Sequence, residues 1–202
     1  MNYPNGVRPR ANQSNRVKKT NNVQSYSNRG MSLEEDINAT NEYYLATNKA
    51  IVHKKPTPIQ IVRVHYPKRS AAVITEAYFQ SKSTTDYNGI YKGKHIDFEA
   101  KETRNKSRFP FINIHAHQVE HMRQCHLSGG IVFLIIKFTV HDEVFLYPFE
   151  HFVKHWDHFL NNGRKSITYE DIKNESIILP MKYNPRYDYL AAVDEFYIEM
   201  EQ

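Results

Sequence analysis

Residues 84–101 read TTDYNGIYKGKHIDFEAK, and the reading of this stretch decides the fold. Asn88-Gly89 and Gly93 are turn-forming residues, and the runs on either side alternate between polar and apolar, which predicts a β-hairpin. Along His95 to Lys101 a strand's period of two puts Asp97, Glu99 and Lys101 on one face and Ile96, Phe98 and Ala100 on the other. Such a strand is expected to border a cleft, with an acid, Asp86, at the start of its partner. Asp86, Glu99 and Lys101 together form a minimal kit for phosphodiester hydrolysis. Two carboxylates can hold a divalent cation, and a lysine can orient water or offset charge on the phosphorane. Alternating charges on a strand also arise as solvated cross-strand ion pairs, each worth roughly 0.2–1 kcal/mol, so the pattern needs support from the rest of the chain.

Charge distribution supplies that support. The net charge of +5 over 202 residues conceals a segregation. Residues 1–30 carry six Lys/Arg and no acid, and residues 49–82 carry seven against Glu76 alone. The remainder has 14 basic and 21 acidic residues, a net of −7. Basic segments on an otherwise acidic body fit a polyanionic partner, nucleic acid above all. The one cysteine, Cys125, excludes an internal disulfide framework and fits a reducing compartment. The longest apolar stretch, Gly129 to Ile136, is too short to span a bilayer, and the polar N-terminus has no apolar leader core, so a cytoplasmic protein is expected.

Residues 1–29 are rich in Asn, Ser and basic groups and are expected to be a disordered basic arm, with residues 30–202 forming a single domain. Ser32-Leu-Glu-Glu predicts a helix start with a capping box closed by Glu35, and Leu33, Ile37, Tyr44 and Leu45 form its apolar stripe. Glu34, in the first turn, complements the helix dipole or reaches the acidic cleft. Ile59–His65 and Ala71–Phe79 read as extended runs joined by Pro67-Lys68-Arg69-Ser70, and Pro56, Pro58 and Pro67 favour an edge or projecting position. The segment at about residues 50–80 is therefore expected to form a two-stranded basic projection. Beyond the hairpin come a loop over Phe109 to Asn113, a helix from His115 to Leu127, a core strand at Ile131–Thr139 and a strand at Glu143–Tyr147. Helices over Phe149–Leu160, Thr168–Asn174 and Asp188–Met200 complete an α/β domain, a mixed central sheet flanked by helices.

The stretches MSLEEDI, HKKPTPIQIV, YPKRSAAVITEAYF, STTDYNG, IDFEAKET and HQVEHM together resemble the RecU family of Holliday-junction resolvases, from Gly30 to near the C-terminus. That resemblance implies the PD-(D/E)XK restriction-endonuclease-like fold, a homodimer, and Mg²⁺-dependent symmetric cleavage of four-way DNA in recombination and repair, with Mn²⁺ able to substitute. It implies a metal set of Thr84, Asp86, Glu99 and Gln118, with Lys101 as transition-state stabiliser. Thr85 stands where the wider superfamily has its proline, a departure the resolvase family shares. The resemblance further implies that residues 50–80 are a stalk entering the junction, making Lys54, Lys55, Lys68 and Arg69 candidate DNA contacts. Tyr66 and Phe79 would stack on bases or support the stalk. RecA recombinase and the RuvAB branch-migration proteins are implied as partners, and the nucleoid as the place of action. A non-catalytic junction-binding protein that modulates a recombinase, or a restriction-type nuclease that cuts duplex DNA, would satisfy part of the same pattern. Among the eleven histidines, His117 with His121 and the set His151, His155 and His158 have helical spacing, but neither supplies the glutamate of a zincin motif. Cys125 reads as a small buried residue without a local partner.

Overall fold

The computed structural model describes residues 32–68, 70–79 and 84–198; the basic arm, Arg69 and Lys82 lie outside them. The fold is organised by a six-stranded mixed sheet with strand order β1-β4-β5-β7-β8-β10. These strands are β1 (Ile51–Lys54), β4 (Tyr87–Tyr91), β5 (Lys94–Thr103), β7 (Ile131–Phe138), β8 (Glu143–Pro148) and β10 (Ile177–Ile178). Only β5 and β7 are parallel; every other neighbouring pair in this sheet is antiparallel. The parallel pair requires a crossover, and helix α2 (Ala116–Leu127) supplies it. Strand β7, buried along its whole length, reads as one apolar run because both of its faces are covered.

Alternation along β7 divides the core. Ile131, Phe133 and Ile135 face one side, with Ile96 and Phe98 of β5, and pack on helix α1 (Leu33–Ala46) and the C-terminal segment through Ile37, Tyr44, Tyr189 and Leu190. Val132, Leu134 and Ile136 face the other side, against Val119 and Met122 of α2 and Phe149, Phe152 and Trp156 of helix α3 (Phe149–Leu160). Helix α1 begins as expected: Ser32 and Glu35 close a capping box on each other's backbone N–H groups. Leu45 departs from the stripe and is exposed, because the helix ends one residue later and turns that side to solvent. After the short helix α4 (Tyr169–Glu175), the C-terminal helix runs over Tyr189–Val193 as α5 and widens into a π-turn at Asp194–Ile198; residues 199–202 lie outside the description.

The turn of the hairpin is Lys92-Gly93, both residues having positive φ, the geometry of a two-residue loop that follows the strand twist. Asn88-Gly89, expected in a turn, lies inside β4 instead. Gly89 opposes Val52 of β1, and a Cβ there would come within 2.0 Å of the Ile51 carbonyl oxygen. Glycine is required by the close approach of a neighbouring strand, which local sequence does not report. The segment expected as a loop at Phe109–Asn113 carries strand β6 (Arg108–Pro110), paired with β9 (Ser166–Thr168), and then a 3-10 turn.

Strands β2 (Ile59–His65) and β3 (Val73–Phe79) pair antiparallel in a sheet of their own, with a register irregularity around Arg63. Nearly every residue of both strands is exposed, Ile59, Ile61, Val62, Val73 and Ile74 included, so among the described residues nothing covers either face of this hairpin. The projection is shorter than residues 50–80, since Ile51–Lys54 belongs to the main sheet. Among the described residues no helix is long and apolar enough to cross a membrane.

Candidate active site

The register of β5 against β7 sets the site. Asp97, Glu99 and Lys101 pair with Val132, Leu134 and Ile136, so the charged face of β5 looks toward α2. On α2 the residues Gln118, His121 and Cys125 recur at i, i+3 and i+7 and form one stripe. The stripe and the strand meet in step. Gln118 donates its amide hydrogen to Glu99 Oε1 at 2.8 Å, and His121 Nε2 lies 3.2 Å from Asp97 Oδ2. Donor atoms of His95, Asp97 and Cys125 come within 4.8 Å of one another. Cys125, expected as a buried residue without a local partner, is half-buried and has one a helical turn before it, His121 Nε2 at 3.5 Å, and burial pushes its thiol pKa up. His117 does not join this stripe: it is exposed and its ring stacks on His115.

Glu99 has no solvent exposure and is bound from three directions. The backbone N–H of Asp86 donates to Oε2 at 3.0 Å, while Oε1 takes Gln118 and the Lys101 ammonium at 2.5 Å. Burial, and next the charge of Asp86, still push its pKa up to about 7, against the lowering effect of Lys101. Two neighbouring carboxylates, that of Asp86 bordering a polar cleft, are a donor set suited to a divalent cation. Hard oxygen ligands and space for retained waters are what Mg²⁺ takes. The cleft is about 420 Å³ in volume and is lined by Glu34, Lys54, Lys55, Pro56 to Pro58, and Thr84 to Asp86. Asp86 and Glu34 also border a second hollow, beside Leu33, Ala100 and Glu102.

The expected site residues divide into three groups. Asp86, Glu99, Lys101 and Gln118 come together, with Thr84 exposed at the cleft's edge. Gln118, implied as a metal ligand, has its amide oxygen engaged, accepting the His115 N–H at 3.1 Å, and its amide hydrogen is the group on Glu99. Of the candidate DNA contacts, Lys54 pairs with Glu34, and Lys55 turns inward. The Lys55 ammonium reaches Asp97 Oδ2 and Thr85 Oγ1 at 2.8 Å and Thr84 Oγ1 at 3.1 Å. Lys68 is exposed at the projection's tip, and Arg69 lies outside the described residues. Glu102, on the opposite face of β5, accepts the Leu33 N–H at 2.6 Å and holds the first turn of α1.

Sequence reasoning passed over Lys55, Thr85 and His121 as site neighbours. A usable signal existed: polar residues at i, i+3 and i+7 on a helix following a strand with acids at every second position. Its meaning depends on which face of the strand the crossover helix covers.

A family model for Recombination protein U matches residues 28–195. The chain is 58% identical to the Holliday junction resolvase RecU of Oceanobacillus iheyensis, over 98% of this chain and 100% of that protein. It is 56% identical to the protein of the same name from Bacillus cereus, over 96% and 97%, and 53% identical to that of Staphylococcus epidermidis, over 98% and 97%. Among solved structures, the Archaeoglobus fulgidus Holliday junction resolvase Hjc matches at TM-score 0.37 and 9% identity, covering 66% of this chain and 85% of that one, too loosely to carry an argument.

Proposed function

The chain belongs to the RecU family, and on that premise we propose that it is a Holliday-junction resolvase, an endonuclease that hydrolyses phosphodiesters in four-way DNA during recombination and repair. The observation that carries the catalytic half of this reading is the buried Glu99 carboxylate, held by the Asp86 N–H, Gln118 and Lys101 beside an open polar cleft. A module that only bound DNA would gain nothing from carboxylates gathered where phosphates approach.

Asp86, Glu99 and Thr84 are the residues that would hold Mg²⁺, or Mn²⁺ in its place, with Gln118 fixing Glu99. The ion, when bound, supplies Lewis acidity toward a phosphate oxygen and a lowered pKa for water. The chain's own contributions are positional and electrostatic. The Asp86 N–H and Gln118 lock the Glu99 rotamer before any ligand arrives, so little reorganisation is left for the reaction itself. Lys101, half-buried on the same strand face, places its ammonium beside the carboxylates, where it offsets charge gathering on a phosphorane.

Substrate shape is assigned to the β2–β3 projection, with Lys68 at its turn and Tyr66, Tyr78 and Phe79 exposed along it; Arg69, next in sequence and outside the described residues, is a candidate contact with it. Two symmetric cuts on a two-fold substrate call for two equivalent sites, so the working form is a homodimer. The uncovered aliphatic side chains of the projection are consistent with a macromolecular partner. RecA recombinase and RuvAB are further partners of this reading, and the cytoplasm, at the nucleoid, is its location.

The test is cleavage of a mobile four-way junction beside linear duplex and a replication fork, with Mg²⁺ or EDTA. Symmetric nicking of the junction alone, abolished by EDTA, is the expected result. Equal cutting of linear duplex would make the protein a restriction-type nuclease, and tight junction binding without cutting would make it a non-catalytic modulator.

A further inference from the structure

We propose that Lys55 is a positioning residue of the cleavage reaction, fixing the segment that carries Asp86 and tying its geometry to the root of the β2–β3 projection. This rests on the resolvase reading above.

Asp86 does not sit in a strand; it belongs to the lead-in before β4, described from Thr84 onward. Such a segment has no ladder of its own, yet here the Asp86 main chain and both threonine hydroxyls are taken. The Asp86 carbonyl accepts the Lys55 backbone N–H at 2.8 Å, and the Asp86 N–H donates to Glu99 at 3.0 Å. The two preceding threonine hydroxyls both receive the Lys55 ammonium, at 3.1 Å and 2.8 Å. Thr85 passes its own hydroxyl hydrogen to Asp97 Oδ1, whose second oxygen accepts Lys55 at 2.8 Å. Lys55 thus grips the lead-in by main chain and side chain together.

Burial makes the grip strong. The Asp97 side chain is 1% exposed and that of Lys55 19%. Loss of one member of such a pair leaves the other charged, buried and uncompensated. His121 and His95, at 3.2 Å and 3.6 Å from Asp97 Oδ2, offer a weaker substitute. The same ammonium argues against reading His95, Asp97 and Cys125 as a transition-metal site, since a cation there would compete with one the chain already provides.

Position in the chain adds the second part. Lys55 directly follows β1, its N–H extends the β1–β4 ladder by one rung, and Pro56-Thr57-Pro58 leads straight into β2. Proline at 56 and 58 fixes φ at both positions and stiffens that approach. A displacement of the projection's root is therefore transmitted to the residue that holds Asp86, and the root and the lead-in line one cleft.

The experiment compares wild type, Lys55→Met and Lys55→Arg in single-turnover junction cleavage. Junction affinity is measured in EDTA, and Mn²⁺ affinity by calorimetry on the protein without DNA. Lys55→Met is expected to cut about a hundredfold more slowly, the scale of a misplaced reactive group, with junction affinity unchanged within about twofold. Its Mn²⁺ affinity should fall severalfold, and Lys55→Arg should recover about tenfold or more of the lost rate. Should Lys55→Met fail to fold, the double variant Lys55→Met/Asp97→Asn, which strands no charge, takes the same three measurements with the same expected losses. Wild-type rate with wild-type Mn²⁺ affinity would overturn the proposal. So would a rate loss matched by an equal loss of junction affinity, which would make Lys55 a DNA contact. If wild type itself fails to cut the junction, the resolvase reading falls instead, and the Mn²⁺ measurement still decides whether Lys55 positions Asp86.

Discussion

Two hairpins of this chain invert the usual rule of burial in opposite directions. In the β4–β5 hairpin, Asp97 and Glu99 are buried beneath a helix and each is matched to named donors. In the β2–β3 hairpin, isoleucines, valines and aromatic residues stand in solvent with neither face covered by the described residues. Charges are normally outside and aliphatic side chains inside, so both hairpins cost stability in the isolated chain. The first bears that cost to hold a preorganised reactive constellation. The second leaves apolar surface that fits the macromolecular partner proposed for it. Catalysis and substrate selection are thus proposed for two chemically opposite hairpins, with Lys55 and the prolines after it leading from the site toward the projection.

The largest effect separates the two outright. Asp86→Ala or Glu99→Ala should reduce junction cleavage by about 10³-fold or more while leaving junction binding in place, as measured by gel shift beside a cleavage assay. Lost binding in either variant would mean that the carboxylates support the DNA-binding surface as well, and the division would fail.

Changes on the projection should do the reverse. Phe79, 81% exposed at the end of β3, is placed to stack on a base, and Phe79→Ala should weaken junction affinity about tenfold, the scale of one base–aromatic contact. Nonspecific affinity for linear duplex should stay as it is; an equal drop there would assign Phe79 to the fold. A smaller effect is expected of Lys68→Glu: junction affinity falls severalfold and the salt dependence loses roughly one unit of slope per phosphate contact removed. An unchanged slope would take the projection's tip off the phosphate backbone.

The smallest effect concerns stability. The Glu99 pKa in the folded protein is about 7, above the ordinary 4.5, so the folded state binds this proton more tightly than the unfolded state does. The associated stability is complete below about 4.5 and is lost as pH rises through 7. In the metal-free protein Glu99→Gln should therefore gain stability relative to wild type between pH 5 and pH 8, read as the difference in urea midpoints. A constant difference would show that Lys101 and Gln118 already offset the burial of this charge.

Legibility in the sequence differed between the hairpins for the same physical reason. Local patterns carried far: the Ser32–Glu35 capping box, the α3 span Phe149–Leu160, and both strands of the projection, each resting on periodicity or on side-chain chemistry within a few residues. Asp86, Glu99 and Lys101 could be grouped because a turn and a period of two relate them. Thr84 and Gln118 entered only through the resemblance to RecU proteins, since nothing within their own neighbourhoods separates a site amide from a surface one. The Asn88-Gly89 pair misled, because a turn-forming dipeptide and a glycine demanded by a crossing strand look alike in one dimension.

The sequence by itself determined which residues could do chemistry and which strand face would bear them, because side-chain alternation is a property of the backbone alone. Tertiary structure decided which of those residues stay exposed and which face one another. The register of β5 on β7 directs the acids toward α2, and the β1–β4 ladder draws Lys55 out of the basic segment and onto Asp97. Both are pairings between segments 33 to 42 residues apart, and only closing those loops tells a buried, matched charge from a free one.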